Sequence, residues 1–226
     1  MRVVKGLVVA GVIAGVMSVA AGAQEQQDAD KKVAGGGVTA KGWQGKADPG
    51  NKQGLTVNDS KFASEGSGYR VTTGPAGVYW NPANVGKGDF TVKATFKEPK
   101  QTYNHPHPFG VFIGGTQLDT DTPSMIYCVA YRDGNYTVRQ FTAGKPSQVV
   151  RRTVHEKVAK AAGQDAEVTQ EVAFTVKGDK AECSINGAVV WSGSTADVGG
   201  ASFDGQTGIR VSHNSDAIVS SFALSK

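Results

Sequence analysis

Residues 172–191, VAFTVKGDKAECSINGAVVW, decide the fold of this chain. Apolar residues alternate with polar ones from Val172 to Val176, and they alternate again from Ala181 to Ile185 after the polar break at 177–180. Successive side chains of a β-strand point to opposite faces, so a period of two predicts two half-buried strands. Asn186-Gly187 then fits a tight hairpin turn, because both residues tolerate a positive φ. The stretch therefore predicts an antiparallel sheet.

Short runs of the same kind recur along the rest of the chain, with Gly, Pro, Asn and Asp between them. Asp133-Gly134 marks another hairpin. The one helix candidate is Thr153–Ala162, where Val154, Val158 and Ala161 have helical spacing within a long connection between strands. Many short strands and one short helix predict an all-β fold, namely a two-sheet antiparallel β-sandwich or jelly roll.

The N-terminus has the features of a secretory signal peptide. Arg2 and Lys5 precede an apolar run from Gly6 to Ala20, and Ala21-Gly22-Ala23 supplies an A-x-A cleavage site. The run is too short for a good membrane span. We therefore expect a signal peptide over residues 1–23, no membrane span, and a periplasmic or secreted protein that begins at Gln24.

The segment after the signal peptide is polar and then rich in glycine, which predicts a flexible tether over residues 24–40. Residues 41–226 remain for one sandwich domain, which is long enough to bury a full core. The net charge of the chain is only +4, and Arg2 and Lys5 contribute two of those charges. A charge this small does not indicate a nucleic acid partner.

The two cysteines, Cys128 and Cys183, leave two possibilities open. An oxidising compartment permits a disulfide bond between them. However, Cys128 has the opposite strand parity from Tyr127, Val129 and Tyr131, so burial as two separate small apolar side chains is an equal alternative.

Several segments occur in an order that resembles a known superfamily. They are Gly42-Trp43, 88–92 (GDFTV), 109–115 (FGVFIGG), the hairpin at 184–187, 207–213 (TGIRVSH) and the closing run Val219–Leu224. Together they resemble the concanavalin A-like lectin/glucanase superfamily, in particular its laminin-G-like branch and the branch called domain of unknown function 1080, which is 3-keto-disaccharide hydrolase-like. The resemblance implies two curved sheets with a concave face that handles glycans.

The retaining glycanases of this superfamily carry an E-x-D-x-E strand, whose carboxylates lie on one face as nucleophile and acid/base. The nearest run in this chain is Asp165-Ala166-Glu167, with Gly163 at the position of the first acid. The chain therefore lacks that motif, and an enzyme with a different catalytic arrangement remains the alternative.

Aromatic and basic residues supply the candidate ligand contacts. Trp80 ends a predicted strand, and an exposed aromatic ring there would stack on a sugar. Tyr131 would do the same on the central hairpin, although alternation with Val129 also favours core packing for it. Arg210 faces away from the core if Ile209 and Val211 face inward.

The string Tyr103-Asn104-His105-Pro106-His107-Pro108 is the most unusual in the chain. Two histidines held by prolines could contact a polar ligand or bind a metal ion, and a stiff surface loop is the plain alternative. His213 lies at the end of the closing strand, where a solvated strand end is equally compatible. Asp119 and Asp121 offer oxygen ligands for Ca²⁺, but an acidic turn before a strand explains them as well.

These observations favour an exported module that binds carbohydrate on the concave face of a β-sandwich. The candidate ligand-binding residues are Trp80, His105, His107, Tyr131 and Arg210. We expect no resident cofactor, with Ca²⁺ as the possible exception. The alternatives are a glycoside hydrolase-like enzyme acting on oligosaccharides or 3-keto-glycosides, and a structural or protein-interaction domain of the cell envelope.

Overall fold

The computed structural model describes residues 29–51 and 53–226, which form an almost entirely β structure. Two single 3₁₀ turns, Val57–Asp59 and Ala196–Val198, are its helical elements. The strands are β1 Gly37–Val38, β2 Gln44–Ala47, β3 Lys61–Glu65, β4 Gly68–Thr72, β5 Gly77–Gly86, β6 Phe90–Glu98, β7 Phe109–Thr116, β8 Ser124–Ala130, β9 Asn135–Thr142, β10 Lys145–Val154, β11 Val168–Lys177, β12 Lys180–Ile185, β13 Ala188–Ser194, β14 Gly205–Val211 and β15 Asp216–Ser225.

The strands form two sheets that pack face to face. One sheet has eight strands in the order β1-β3-β4-β15-β6-β11-β12-β13, and the other has seven in the order β10-β9-β8-β7-β14-β5-β2. All neighbouring strands are antiparallel except β1 and β3, which are parallel. The predicted two-sheet β-sandwich is confirmed.

The stretch that decides the fold forms the hairpins that it predicts. β11 pairs with β12 so that Val172 faces Ile185, Phe174 faces Cys183 and Val176 faces Ala181. All six of these residues are buried. The turn at Asn186-Gly187 has positive φ at both positions, 50° and 81°, as the hairpin pattern requires.

A disulfide bond between Cys128 on β8 and Cys183 on β12 crosses the core between the sheets. Each sheet contributes one cysteine, and both side chains are fully buried in the inter-sheet core. The bond settles the alternative that the sequence leaves open. Cys128 points into the inter-sheet core, whereas its neighbours Tyr127 and Val129 lie on the opposite face of β8 in a separate cluster.

The predicted helix at Thr153–Ala162 is wrong. Its first residues complete strand β10, which pairs with β9 as far as Val154. The following residues form turns, and Val158 inserts into the inter-sheet core. The helical spacing of the apolar residues thus reflects one strand end and one buried anchor.

The side chain of Gln170 on β11 fixes the position of this non-helical connection. Its amide oxygen accepts hydrogen bonds from Ala159 N at 3.0 Å and from Asn186 Nδ2 at 2.8 Å, and its Nε2 donates to Ala159 O at 2.7 Å. The side chain is fully buried. The Gln170 amide therefore satisfies the backbone N–H and C=O groups of Ala159, which no helix or strand pairs.

Replacing Gln170 by leucine is expected to lower the free energy of unfolding by about 2 kcal/mol, because the part-buried polar groups of Ala159 and Asn186 that bond to it lose their partner. Urea unfolding measures the loss. The exposed Gln148 offers a control, since Gln148→Leu should leave stability nearly unchanged. Equal stability of the two variants would contradict the anchoring role of Gln170.

The segment before β2 packs on the domain, in contrast to the flexible tether expected over residues 24–40. Val33 N donates to Asp59 O, and β1 pairs with β3. A Cβ on Gly36 would lie 2.0 Å from Asn58 O, so the glycine permits close packing here. Residues 24–28 and the expected signal peptide over residues 1–23 lie outside the described residues. Within the described residues, no helix is long and apolar enough to span a bilayer.

Candidate functional site

The seven-stranded sheet has a second apolar face, which we call the outer face because it points away from the inter-sheet core. Strand register aligns one row of residues across β5, β14, β7, β8 and β9, and the row consists of Trp80, Gly208, Phe112, Tyr127 and Arg139. A buried cluster on this face is separate from the main core. The outer face is therefore covered, and this explains why β8 is apolar at almost every position.

Two loops cover part of the outer face. Leu118, in the loop after β7, belongs to the buried outer-face cluster. Asp48, in the loop after β2, forms a paired contact with the guanidinium of Arg210 on β14. An ion pair of 3.1 Å also joins Lys46 on β2 to Asp121 in the loop after β7.

Arg210 lies close to two aromatic rings on the outer face. Its guanidinium carbon is 5.1 Å from the ring centre of Tyr127 and 5.7 Å from that of Phe141. Burial lowers the pKa of Arg210, but the Asp48 carboxylate more than offsets it, so the pKa is raised overall. Arg210 thus stays charged and its charge is balanced by Asp48. The sequence placed Arg210 on the correct face, opposite Ile209 and Val211.

A cavity of about 90 Å³ opens on the outer face beside Arg210. Among the residues that line it are two tyrosines, two arginines and two hydroxyl side chains, namely Tyr127, Tyr131, Arg139, Arg210, Thr137 and Ser212. The Nε atom of Arg139 is buried and makes no hydrogen bond within the protein. An unsatisfied buried donor is costly, so a ligand acceptor at this position would be favourable.

Tyr131 forms one wall of this cavity. The guanidinium of Arg152 stacks on its ring at 4.2 Å from the centre, and Arg152 also pairs with Asp133. Burial raises the pKa of Tyr131, so its hydroxyl stays protonated at neutral pH and can donate to a ligand.

Trp80, His105 and His107, which the sequence also predicts as ligand contacts, do not line this cavity. Trp80 belongs to the outer-face cluster, but only 4% of it is exposed, so its ring contacts neighbouring side chains.

Arg139 was not among the residues that the sequence predicted for the site. Its alternation with the core residue Val138 was the signal that could have placed it on the outer face.

His105 and His107, which lie just before β7, come together with His213, which lies just after β14. Their ring nitrogens lie within 4.8 Å of one another. We call these three residues the histidine cluster. Pro108 and Ser212, which line the outer-face cavity, are the chain neighbours of His107 and His213. The cluster is thus adjacent to the cavity along both strands.

The acidic turn offered for Ca²⁺ is held by its own hydrogen bonds. Thr120 Oγ1 donates to Gln117 O at 2.9 Å, and Thr122 N donates to Thr120 Oγ1 at 3.1 Å. Asp121 faces the ammonium group of Lys46. A lysine at this distance competes with a cation for the carboxylate.

Comparisons of the sequence with family models and with curated proteins find no match. The fold, in contrast, is similar to solved structures. A carbohydrate-binding module of family 66 from Bacillus subtilis superposes with a TM-score of 0.59 at 11% identity, over 84% of this chain and 99% of that one. A Bacillus subtilis protein of unknown function with a galectin-like fold superposes with a TM-score of 0.55 at 12% identity, over 82% and 90%. The chain therefore has the sandwich fold of these modules.

Proposed function

We propose that this protein is a carbohydrate-binding module whose ligand lies on the outer face of the seven-stranded sheet. The observation that carries the proposal is the cavity that Arg139 and Tyr131 line together, with an Arg139 Nε that makes no hydrogen bond to the described residues. Sugars present hydroxyl or carboxylate acceptors next to apolar C–H faces, and this pairing of a donor and a ring matches them. The fold that the chain shares with a carbohydrate-binding module supports the proposal.

The size of the cavity limits what can enter it. Pockets that bury a whole small molecule are about 300–1,000 Å³, whereas this one is about 90 Å³. One hydroxyl or carboxylate group therefore enters beside Arg139, and the rest of the saccharide lies across the surface. None of the described residues that line the cavity is acidic. The cavity thus lacks the carboxylate pair of the usual glycoside hydrolase mechanisms.

We further propose that the protein is exported to the periplasm or beyond. The N-terminal sequence pattern supports export. The Cys128–Cys183 disulfide bond supports it independently, because such bonds persist in oxidising compartments.

The binding proposal is tested with an array of neutral and uronic oligosaccharides, followed by calorimetry on each ligand found. Arg139→Gln is expected to weaken binding at least about tenfold, because a charge-assisted hydrogen bond is lost. Tyr131→Ala should weaken it similarly through the lost ring contact. Arg151→Gln on the exposed part of β10 is the matched control and should bind like the wild type. Binding that survives both site variants would place the ligand elsewhere.

A further inference from the structure

The histidine cluster is built from segments that are distant in sequence. His105 and His107 lie in the loop before β7, His213 follows β14, and Asp30 comes from the N-terminal segment. Lys31 N donates to Asn214 Oδ1 at 2.9 Å, which ties that segment to the turn after β14. His105 is exposed, whereas only 6% of His107 is exposed. The cluster thus extends from the surface into the protein.

Each histidine ring is oriented by an oxygen atom at its Nδ1. His105 Nδ1 lies 2.7 Å from Asn104 Oδ1, and His213 Nδ1 lies 2.7 Å from an Asp30 carboxylate oxygen. His107 Nδ1 contacts the backbone oxygen of His213. A ring that donates from Nδ1 to such an oxygen can coordinate a metal ion through Nε2. Metal-binding histidines are oriented in the same way.

Two of the rings approach each other through their Nε2 atoms. The Nε2 atoms of His105 and His107 lie only 2.8 Å apart. Zinc binds histidine nitrogen at about 2.0–2.1 Å, which separates two tetrahedral ligands by about 3.4 Å. A small outward movement of the two rings is enough for that separation.

We propose that His105, His107 and His213 bind one late first-row divalent cation, with Zn²⁺ as the best fit. Three imidazoles suit zinc, copper and nickel and leave a further position for water or a ligand group. The rings of His107 and His213 are stacked at 4.2 Å and 14°. One of them turns on binding, because parallel rings cannot both point at one ion.

Two cavities lie near the histidine cluster. A cavity of about 400 Å³ lined in part by Lys31, Tyr103 and Asn104 opens beside the cluster. Pro108 and Ser212, the chain neighbours of His107 and His213, line the outer-face cavity. A metal ion bound by the histidine cluster would therefore lie next to a saccharide held in that cavity. The metal site does not depend on saccharide binding, and its test requires no saccharide.

The test titrates Zn²⁺ into protein purified without a histidine tag, at about pH 7.5, against a chromophoric chelator. The expected result is one equivalent of Zn²⁺ and a raised thermal midpoint. Co²⁺ should give the intense visible absorption of a tetrahedral site. Zn²⁺ affinity no better than about millimolar would overturn the proposal.

Variants locate the site. His105→Gln removes an exposed ligand with little risk to folding, and it should weaken Zn²⁺ binding at least about tenfold. Asp30→Ala, which removes the oxygen that orients His213, should weaken binding by about tenfold while retaining the stoichiometry. His155→Gln, at the one histidine outside the cluster, is the matched control and should bind like the wild type. Unchanged binding in His105→Gln, or binding lost in His155→Gln, would refute the assignment.

Discussion

Replacing both Cys128 and Cys183 by alanine is expected to lower the free energy of unfolding by about 4 kcal/mol. The bond joins β8 of one sheet to β12 of the other, across a sequence separation of 55. A cross-link of that length restricts the unfolded chain, so its loss raises the entropy of the unfolded state. Both side chains are fully buried, and the smaller alanines remove further packing contacts.

Urea unfolding of the oxidised wild type and the double-alanine variant measures this loss. The wild type in reducing buffer is the matched control, because it breaks the bond but keeps both sulfur atoms in the core. It should recover only the packing part of the difference. A loss below about 1 kcal/mol in the variant would show that the bond adds little to stability.

Replacing Arg132 by methionine is expected to lower the free energy of unfolding by about 3–5 kcal/mol. Its guanidinium lies 3.3 Å from the carboxylate of Glu98, and both side chains are at most 4% exposed. It also donates to the backbone oxygens of Gly163 and Gln164 at 2.9 Å and 3.2 Å, and to that of Ala166. Without Arg132, the buried carboxyl group of Glu98 loses its counter-ion and the carbonyl groups lose their donor.

The loss in Arg132→Met should depend on pH. Burial raises the pKa of Glu98 to about 7 even with Arg132 beside it, and removal of that cation raises it further. The folded variant therefore holds a proton that the unfolded chain releases above about pH 4.5. Its stability falls as the pH rises from there toward the folded-state pKa. The wild type loses stability in the same way up to about pH 7, so the difference between the two proteins should be nearly constant below pH 7 and grow above it.

Two further variants distinguish this buried pair from an ordinary ion pair. Lys93→Met breaks the exposed pair with Glu171 and should cost less than about 1 kcal/mol. Glu98→Gln combined with Arg132→Met removes the buried charge and should recover part of the stability lost in the single variant. Equal losses in Arg132→Met and Lys93→Met, or no change with pH, would contradict this account.

The sequence predicted the strands better than the faces that they present. The alternation in β6 and in 172–185 is clear because one side of each strand meets the core and the other meets solvent. In β8 both sides are apolar, since the outer face is also covered. Alternation therefore could not show that Cys128, rather than Tyr127, faces Cys183. Because the outer face is covered, Trp80 is also buried, although the sequence pattern predicted an exposed ring.

The candidate sites depend on contacts between distant segments. Arg210 with Asp48, and His107 with His213, are separated by more than 100 residues in each case. No local pattern encodes such a pairing, because it arises only when strand order brings β14 beside β5 and β7.

The sequence by itself determined the β-sandwich, its hairpins and the inward set of its amphipathic strands, since these follow from short-range turn chemistry and side-chain alternation. Only the tertiary structure decided the disulfide bond, the covered outer face with its cavity at Arg139, and the histidine cluster. These features depend on which strands become neighbours in each sheet and on which loops fold over them, and both are properties of the whole packed chain.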